Sequence, residues 1–357
     1  MSLFVQIEKR LGDFFLEAYF ESGDKTLAVL GASGAGKSLL LKCIAGIEKP
    51  DKGKIILNGR VLFDSERKVN LAPQKRRVGC LFQSGALFPN MTLLQNALCA
   101  ARDKEEAALY LKKFGLEGKE SLYPAALSGG EKQRAALARL LASEPDALLF
   151  DEPFSALDSN RKSELERIIL DLLEEKKRPS ILVTHDRNEA FRLSDKIAVM
   201  ENGFLCASME KRDFFENPKT VAAARLSGCK NISRLEWTSG QTANALDWGV
   251  SLRFAAAVPK AERKSFAGYR AHFFEPSERA ADENVFACKI ERVIEDAFSF
   301  VVYFRQAASL CGENGALLCW EMEKPAWEKI ARKLGQKQLF AKINPARLML
   351  LDKTEME

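Results

Sequence analysis

The sequence shows little charge imbalance, few histidines and no paired cysteines. Its 54 lysines and arginines against 49 acidic residues leave a net charge of +5 over 357 residues. We therefore expect no nucleic-acid partner, because proteins that bind nucleic acids carry a concentrated basic surface. The eight cysteines are scattered and none forms a CxxC pair, which favours buried reduced thiols over a metal site or a disulfide framework.

Long uncharged runs and early tryptophans are also missing. The longest uncharged run, residues 78–101, could span a bilayer by length, but it contains Pro89 and several amides and hydroxyls, so we interpret it as core and loop. The start, MSLFVQIEKR, meets charged residues before an apolar segment can form, and we expect no signal peptide there. All four tryptophans lie from Trp237 onward, which indicates two differently built domains. The chain length of 357 residues also predicts about two domains, at roughly 150 residues per domain.

Short apolar runs alternate with helical patterns through the first two-thirds of the chain. Continuous apolar or β-branched runs at 26–30, 147–150 and 181–184 predict strands that are buried on both faces of a largely parallel sheet. Apolar residues spaced three and four apart across 165–173 predict a helix between the last two of these strands. Strand–helix–strand units of this kind predict an α/β fold.

Other strand signals surround this core. Runs at 4–7 and 14–20, with a hairpin signal at Asn58-Gly59, indicate an antiparallel layer beside the parallel sheet. The pattern changes near residue 230, and we expect two domains, 1–230 and 231–357. The second is predicted as a small β-rich barrel or sandwich with a helix near 326–334 and strands that include 250–254, 269–274, 286–290, 298–304, 317–321 and 339–343.

A glycine-rich loop follows the first buried strand and opens the helical pattern at 38–44. Its glycines let backbone N–H groups wrap a phosphate, its lysine reaches the terminal phosphates, and its serine coordinates Mg²⁺. Strand, loop and helix together predict a nucleoside triphosphate site. The predicted binding residues are Gly31, Ala32, Ser33, Gly34, Ala35, Gly36, Lys37 and Ser38.

Two carboxylates, Asp151 and Glu152, end the second buried strand, at the edge where open α/β sheets bind ligands. We predict that Asp151 holds Mg²⁺ and that Glu152 is the general base for an attacking water. His185 ends the third buried strand and is one of only two histidines. A lone histidine can be purely structural, but its place at this edge favours a catalytic hydrogen bond to the γ-phosphate or the water.

A second anion site is predicted in LSGGEKQR, residues 127–134. Ser128, Gly129, Gly130 and Glu131 stand at the start of a predicted helix over 131–142, where free N–H groups and the helix dipole favour a phosphate. The motif has no lysine of its own, so it is not a copy of the first loop. We expect it to bind the nucleotide that another subunit holds.

These motifs resemble, in the same order, those of the ATP-binding subunits of ABC transporters. GASGAGKS is similar to the Walker A motif, LSGGEKQR to the signature, LLFDEP to the Walker B motif, SALD to the D-loop and VTHD to the H-switch, and Gln83 matches the Q-loop glutamine. The resemblance covers the predicted first domain. It implies a P-loop ABC cassette with a RecA-like core, an antiparallel β layer and a helical subdomain that hydrolyses ATP.

The same resemblance implies a head-to-tail dimer with ATP and Mg²⁺ at its interface. Each nucleotide would lie between the loop 31–38 of one subunit and residues 128–131 of the other. Gln83 would contact Mg²⁺, take part in catalysis and relay its state to membrane partners, and Asp158 would line the dimer contact. Leu11 stands where the family has an adenine-stacking aromatic, and Phe14 is the other candidate for that contact.

The segments on either side of Gln83, LAPQKRR and ALFPNMT, resemble bacterial importers for sugars, polyamines and oxyanions, whose ATPases end in a small β-barrel called TOBE. Residues 284–294 and 335–351 are similar to that barrel. The short start LGDFFL resembles the molybdate and sulfate type, which implies an oxyanion importer with molybdate as the first candidate cargo. It further implies permease subunits docked near Gln83 and the segment 93–115, an extracytoplasmic binding protein acting indirectly, and a place on the cytoplasmic face of the membrane.

Several alternatives stay open at this point. Iron, a polyamine or a sugar could be the cargo, since the ATPase subunit does not bind it. A non-transport ABC protein would carry two cassettes or a long coiled-coil insertion, and the sequence shows neither feature. A P-loop kinase would need an acceptor pocket, and the sequence gives no sign of one. The C-terminal domain could sense an oxyanion or brace the dimer, and its balanced charge favours bracing.

Overall fold

A computed structural model of the chain describes residues 1–82, 87–155, 157, 159–175, 177–206, 208–277, 283–307, 315–334 and 338–353. The chain divides into two compact units, Met1–Lys211 and Arg212–Glu357. This division falls before the boundary that the sequence places near residue 230.

The strands of the first unit form one sheet, which has twelve strands in the described residues. They are β1 (Leu3–Leu11), β2 (Phe14–Ser22), β3 (Thr26–Leu30), β4 (Lys52–Leu57), β5 (Arg60–Asp64), β6 (Val69–Asn70), β7 (Val78–Leu81), β8 (Ala147–Asp151), β9 (Ser180–Thr184), β10 (Lys196–Glu201), β11 (Phe204–Leu205) and β12 (Met209–Glu210). Their order is β6-β5-β4-β1-β2-β11-β10-β3-β9-β8-β7, with β12 against β10. Strands β10, β3, β9, β8 and β7 run parallel, whereas β6, β5, β4, β1 and β2 are antiparallel. The predicted α/β fold with an antiparallel layer is confirmed.

Helices of this unit pack on both faces of the parallel strands. They are α1 (Lys37–Ala45), α2 (Pro73–Arg76), α3 (Leu93–Leu98), α4 (Lys104–Lys113), α5 (Gly129–Ala142), α6 (Ser159–Glu175) and α7 (Arg187–Leu193). Successive side chains of a strand point to opposite faces. Leu149 and Ile181 accordingly pack in the cluster that contains α1 and the antiparallel strands, whereas Leu148, Phe150 and Leu182 pack in the cluster that contains α5 and α6. Both faces are apolar, which is why these strands read as continuous apolar runs.

The second unit contains two antiparallel sheets. Its strands are β13 (Asn231–Trp237), β14 (Thr242–Ala245), β15 (Val250–Arg253), β16 (Phe266–Tyr269), β17 (Glu275–Ser277), β18 (Val285–Glu295), β19 (Ser299–Gln306), β20 (Leu318–Glu323), β21 (Phe340–Lys342) and β22 (Met349–Leu351). In the described residues each sheet has five strands, ordered β15-β14-β13-β16-β22 and β17-β21-β18-β19-β20. The helices from residue 211 onward are α8 (Lys211–Glu216), α9 (Val221–Leu226) and α10 (Lys324–Leu334).

An aromatic core joins these two sheets. Trp248 and Trp320 are fully buried in one cluster with Phe274 and Phe304, and residues of both sheets contribute to it. The buried Asn231 adds a polar link, because its side-chain amide donates to the carbonyls of Tyr269, 3.1 Å away, and Cys319, 2.8 Å away. The expected β-rich character of the C-terminal region is confirmed. Residues 335–337, part of the segment compared with the TOBE barrel, lie outside the described residues.

Two local predictions had different outcomes. The Asn58-Gly59 turn joins β4 to β5, and both residues have positive φ values of 51° and 79°, as a two-residue hairpin of this type requires. The strand predicted over 269–274 is wrong, because β16 ends at Tyr269 and the chain makes a 3₁₀ turn at Ala271–Phe273. The Tyr269 hydroxyl donates to the Phe273 carbonyl at 2.8 Å and closes this turn, so a local side-chain-to-backbone bond overrides the strand pattern.

Among the helices of the described residues, none combines the length and the apolar character that a membrane span needs. None of the cysteines in the described part of the chain forms a disulfide. The expected burial holds for Cys43, Cys229, Cys288 and Cys319, whereas Cys99 is exposed and Cys80 and Cys206 are only partly buried. Burial raises the pKa of Cys43 and of Cys80 to about 12, which keeps both thiols protonated.

Candidate active site

Three neighbouring strands bring the predicted site residues to one edge of the parallel sheet. Strand β9 lies between β3 and β8, with Leu30 paired to Thr184 and Asp151 paired to Val183 at the carboxyl ends. The loop after β3, the carboxylates that end β8 and His185 after β9 therefore share one edge. Open α/β sheets bind ligands at such an edge.

The loop 31–38 needs glycine for two separate reasons. Gly34 and Gly36 adopt positive φ values of 82° and 106°, which other residues rarely tolerate. A Cβ on Gly36 would also lie 2.9 Å from the ring of Phe14, and one on Gly31 only 2.3 Å from the carbonyl oxygen of Met200. The Ala35 amide donates to the Ala32 carbonyl at 3.2 Å and closes the turn that leads into α1.

Lys37 is a buried cation inside this loop. Its Nζ donates to the carbonyl oxygens of Gly31, 2.7 Å away, and Ala32, 2.8 Å away, and only 6% of the residue is exposed. Burial lowers the pKa of Lys37, while Glu152 and Asp151 raise it. A buried ammonium favours an anion beside it, because burial weakens its hydration.

Ser38 and Asp151 place two oxygen ligands together. The Ser38 hydroxyl donates to Oδ1 of Asp151 at 3.0 Å, and burial raises the pKa of Asp151. The described residues contain no cluster of three or more carboxylates, histidines or cysteines that could hold a metal. A site with one or two protein oxygens suits Mg²⁺, which keeps several waters and binds substrate phosphates as well.

Glu152, directly after the last residue of β8, has an unusual backbone conformation. Its φ is 46°, in the left-handed region that costs free energy for a residue with a side chain. Its amide donates to the Val183 carbonyl at 3.0 Å, and its Oε1 lies 3.2 Å from Nδ1 of His185. Its side chain is 23% exposed and that of His185 is 63% exposed, so both groups can meet solvent or a ligand. Asp151 and Glu152, adjacent in sequence, thus occupy different environments.

The turn that follows His185 is held by a helix cap and by ion pairs with helix α6. Asp186 caps α7 through the amides of Asn188 and Glu189. Lys162 of α6 contacts Asp186 Oδ2 at 2.7 Å and Glu189 Oε1 at 2.6 Å. No sequence pattern marks Lys162 as part of the site, because only the fold brings α6 beside this turn.

A cavity of about 400 Å³ opens over these groups. Its lining residues come from the β1–β2 turn, the glycine-rich loop with α1, and the end of β8, namely Leu11, Phe14, Ser33, Gly34, Gly36, Lys37, Ser38, Leu39, Asp151 and Glu152. Both candidates for the adenine contact, Leu11 and Phe14, are therefore beside the loop. The cavity combines a buried cation, an oxygen pair suited to a metal ion and a partly exposed carboxylate, the groups that phosphoryl transfer to water needs.

The second predicted anion site begins helix α5. Ser128 is the N-cap, and it forms a capping box with Glu131, whose Oε2 accepts from the Ser128 amide at 2.8 Å. The hydrogen bond from Lys119 and those from Ser128 lower the pKa of Glu131 to about 2. The helix starts at Gly129 rather than at residue 131, and a Cβ on Gly129 would meet nothing within 4 Å. The N-terminus of α5 is thus open above Gly129.

Arg76 is a residue that sequence reasoning missed. It is fully buried, and its guanidinium donates to the carbonyls of Cys43 and Ile44 at the end of α1, at 2.9 and 2.8 Å. It also donates to the Leu71 carbonyl and to Oδ1 of Asn70. The arginine therefore caps the helix that begins at the phosphate loop, where the helix dipole favours a cation.

We expect Arg76→Met to lower the free energy of unfolding by about 2–4 kcal/mol, because it leaves several buried acceptors without a donor. Urea denaturation followed by circular dichroism would measure this change. Arg77→Met is the matched control: Arg77 is more than half exposed and pairs with Asp146 at 3.0 Å, so its loss should cost under about 1 kcal/mol. Equal effects of the two substitutions would contradict the capping role.

Two predicted site residues cannot be placed. Gln83 and Asp158 lie outside the described residues. The other predicted residues are described, and those of the loop 31–38, Asp151, Glu152 and His185 gather at the sheet edge. Residues 128–131 instead form the open start of α5.

Known proteins are similar to this chain over part of its length. The family model "ABC transporter" matches residues 18–155. The sulfate/thiosulfate import ATP-binding protein CysA of Synechocystis sp. is 40% identical over 244 residues, which are 65% of this chain and 67% of that protein. The molybdenum import ATP-binding proteins ModC of Aliivibrio fischeri and Mannheimia succiniciproducens are 38% and 37% identical, over 60% and 61% of this chain and 60% and 63% of their own lengths. The chain thus matches about two thirds or less of these relatives.

Two solved structures are also similar. Both are dimeric forms of the ATP-binding cassette MJ0796, one in a post-hydrolysis state bound to ADP and Pi. They are 27% and 28% identical to this chain, with TM-scores of 0.51 and 0.50, and cover 59% of it and 99% of their own chains.

Proposed function

Because this chain belongs to the ABC transporter family, we propose that it is an ATP-hydrolysing subunit that powers import of an oxyanion through separate permease subunits. The observation that carries the proposal is the cavity at the sheet edge, where Lys37, the Ser38–Asp151 pair and Glu152 meet. We propose residues 1–230 as the cassette and 231–357 as a TOBE-like accessory domain.

In this proposal the loop 31–38 binds the phosphates of ATP. The N–H groups of the loop and the start of α1 face anions, and Lys37 adds a buried positive charge. Ser38 and Asp151 would hold Mg²⁺, and Gln83 would join them. When bound, the ion neutralises charge on the phosphate oxygens.

Glu152 is proposed as the general base. Its partly exposed carboxylate can accept a proton from a water, while the more buried Asp151 remains beside Ser38. His185 contacts Glu152 Oε1 through Nδ1, which would orient the carboxylate and leave the other ring nitrogen for substrate or water. Leu11 or Phe14 would contact the adenine base.

A head-to-tail pair of these chains would complete each site. Ser128, Gly129, Gly130 and Glu131 would bind the nucleotide held by the second copy, and the open N-terminus of α5 supports this role. The dimeric forms of MJ0796 support such a pairing. Asp158 is proposed to line the contact between the two copies.

The transported cargo is proposed from the relatives. Molybdate is the first candidate and sulfate the second, because molybdenum and sulfate import proteins are among the relatives at 37–40% identity. The chain would act at the cytoplasmic face of the membrane, held by permease subunits and served indirectly by an extracytoplasmic binding protein. The C-terminal domain is proposed to brace the dimer rather than to sense the oxyanion.

Phosphate release from ATP tests the enzymatic part. We expect the purified chain to release phosphate from ATP in the presence of Mg²⁺ and to lose this activity when Mg²⁺ is chelated. Chelation without effect would contradict the proposed role of Ser38 and Asp151. A properly folded chain without Mg²⁺-dependent hydrolysis would contradict the proposed function.

Uptake into proteoliposomes tests the cargo. The chain would be reconstituted with the permease and binding protein encoded beside it, and radiolabelled molybdate and sulfate would be compared with iron, a polyamine and a sugar. ATP-driven uptake of molybdate is expected. Uptake of iron, polyamine or sugar in preference to both anions would contradict the oxyanion proposal.

A further inference from the structure

The turn that follows Glu152 is fixed by bonds from several directions. The Ser155 amide and hydroxyl both donate to the Glu152 carbonyl, at 3.2 and 3.1 Å, and the Glu152 amide donates to Val183. Pro153 lies inside this turn, and its ring fixes its own φ and removes its N–H. The backbone dihedral of Pro153 that stays free is ψ, and it corresponds to the direction in which the Pro153 carbonyl points.

Gln133 of helix α5 fixes that carbonyl. Its Nε2 donates to the Pro153 oxygen at 2.8 Å across 20 positions of sequence, and the residue is only 7% exposed. Gln133 therefore joins helix α5 to the turn that carries Glu152.

The position of Gln133 along α5 links its bond to the start of that helix. Ser128, the N-cap of α5, belongs to the proposed contact with the partner's nucleotide, and Gln133 lies little more than one turn later. A helix turn is stiff, so a displacement at the start of α5 moves the Gln133 amide and with it the Pro153 carbonyl. Gly130 of the same turn packs near Arg161 of α6, since a Cβ there would lie 3.4 Å from its Cδ.

We propose that Gln133 is a positioning residue for Glu152, which couples the start of α5 in each subunit to the general base of that same subunit. The inference rests on the proposed function, because it assigns Glu152 the role of base. Gln133 itself does not contact the cavity and holds Glu152 only through Pro153. Its loss should therefore affect the rate of hydrolysis and not the affinity for ATP.

The substitution Gln133→Met tests this role, because methionine has a similar length and lacks the donor. We expect kcat for ATP hydrolysis to fall about 10-fold with KM for ATP unchanged, since small displacements of a catalytic group cost rate. In a Glu152→Gln background the same substitution should cause no further loss, because the two residues act in series. Gln6→Met, at an exposed glutamine of β1, is the matched control and should retain full activity.

Hydrogen exchange gives a readout that needs neither nucleotide nor turnover. Amides of residues 154 and 155 should exchange several-fold faster in Gln133→Met than in the original chain and in the Gln6→Met control, since the turn loses one of its anchors. If the methionine variant does not fold, Gln133→Asn, which is one methylene too short to reach, replaces it.

Three results would overturn the inference: unchanged exchange at 154–155, an unchanged kcat, or a loss that persists in full when Glu152 is already glutamine. If the original chain lacks Mg²⁺-dependent hydrolysis, the proposed function fails. Hydrogen exchange still measures in that case whether Gln133 holds the turn.

Discussion

Replacing Glu152 by glutamine should lower the rate of ATP hydrolysis by about 10²- to 10⁴-fold, the usual contribution of a general base, while ATP affinity stays unchanged. Glutamine has nearly the shape of glutamate but cannot accept the proton of a water. The 3.2 Å contact to His185 joins Nδ1 to a carboxylate oxygen, and an amide oxygen can replace that acceptor. The substitution therefore removes the basic function and leaves the cavity intact.

Steady-state phosphate release and titration with a fluorescent ATP analogue would separate these two effects. Glu66→Gln, at an exposed glutamate away from the cavity, serves as the control and should hydrolyse ATP at the original rate. If Glu152→Gln hydrolyses ATP within about threefold of the original rate, Glu152 is ruled out as the base. A loss that small is far below the loss that general base catalysis predicts.

Replacing Lys37 by alanine should weaken ATP binding by about 10²-fold, because charge-assisted hydrogen bonds from a buried ammonium to phosphate contribute roughly 1.5–3 kcal/mol. Lys37 is the buried cation of the loop, held by the carbonyls of Gly31 and Ala32. The lowered pKa of Lys37 reflects the cost of burying its charge, which alanine avoids. Alanine also removes the two hydrogen bonds to those carbonyls, so the two effects oppose each other and the net change in folding stability should be small.

Titration calorimetry with ATP and Mg²⁺ measures this affinity, and a thermal melt of the nucleotide-free chain measures the stability. Lys42→Ala is the control, since Lys42 lies on the same helix but is exposed. We expect its ATP affinity to stay within about twofold of the original, as exposed charges contribute little. Equal losses in the two variants would indicate a general electrostatic effect and not a specific role for Lys37.

Much of the candidate site was predictable because its signals are local. The run 26–30 and the glycines after it describe a strand and a loop without reference to other parts of the chain. The strands ending at Asp151 and Thr184 are apolar on both faces, and buried parallel strands share an edge where their carboxyl ends meet. These patterns suffice to gather Lys37, Glu152 and His185.

The residues that support the site were not predictable, because their bonds join distant segments to backbone atoms. Arg76 donates to carbonyls more than thirty positions earlier, and Gln133 of α5 donates to the carbonyl of Pro153, twenty positions later. A carbonyl acceptor leaves no signature in side-chain chemistry, so neither pairing can be read from residue types. The wrong strand at 269–274 has a different origin, since a local bond from the Tyr269 hydroxyl to the Phe273 carbonyl, four positions later, accompanies a 3₁₀ turn at Ala271–Phe273.

The buried tryptophans of the second unit give the two halves of the chain different optical properties. Trp248 and Trp320 are in the aromatic core of that unit, and no tryptophan occurs before residue 237. Tryptophan emission therefore reports on the second unit alone, whereas the far-ultraviolet signal of the peptide backbone includes both. Comparing the two signals during denaturation measures whether the units lose structure together or in separate steps, without a label or a truncation.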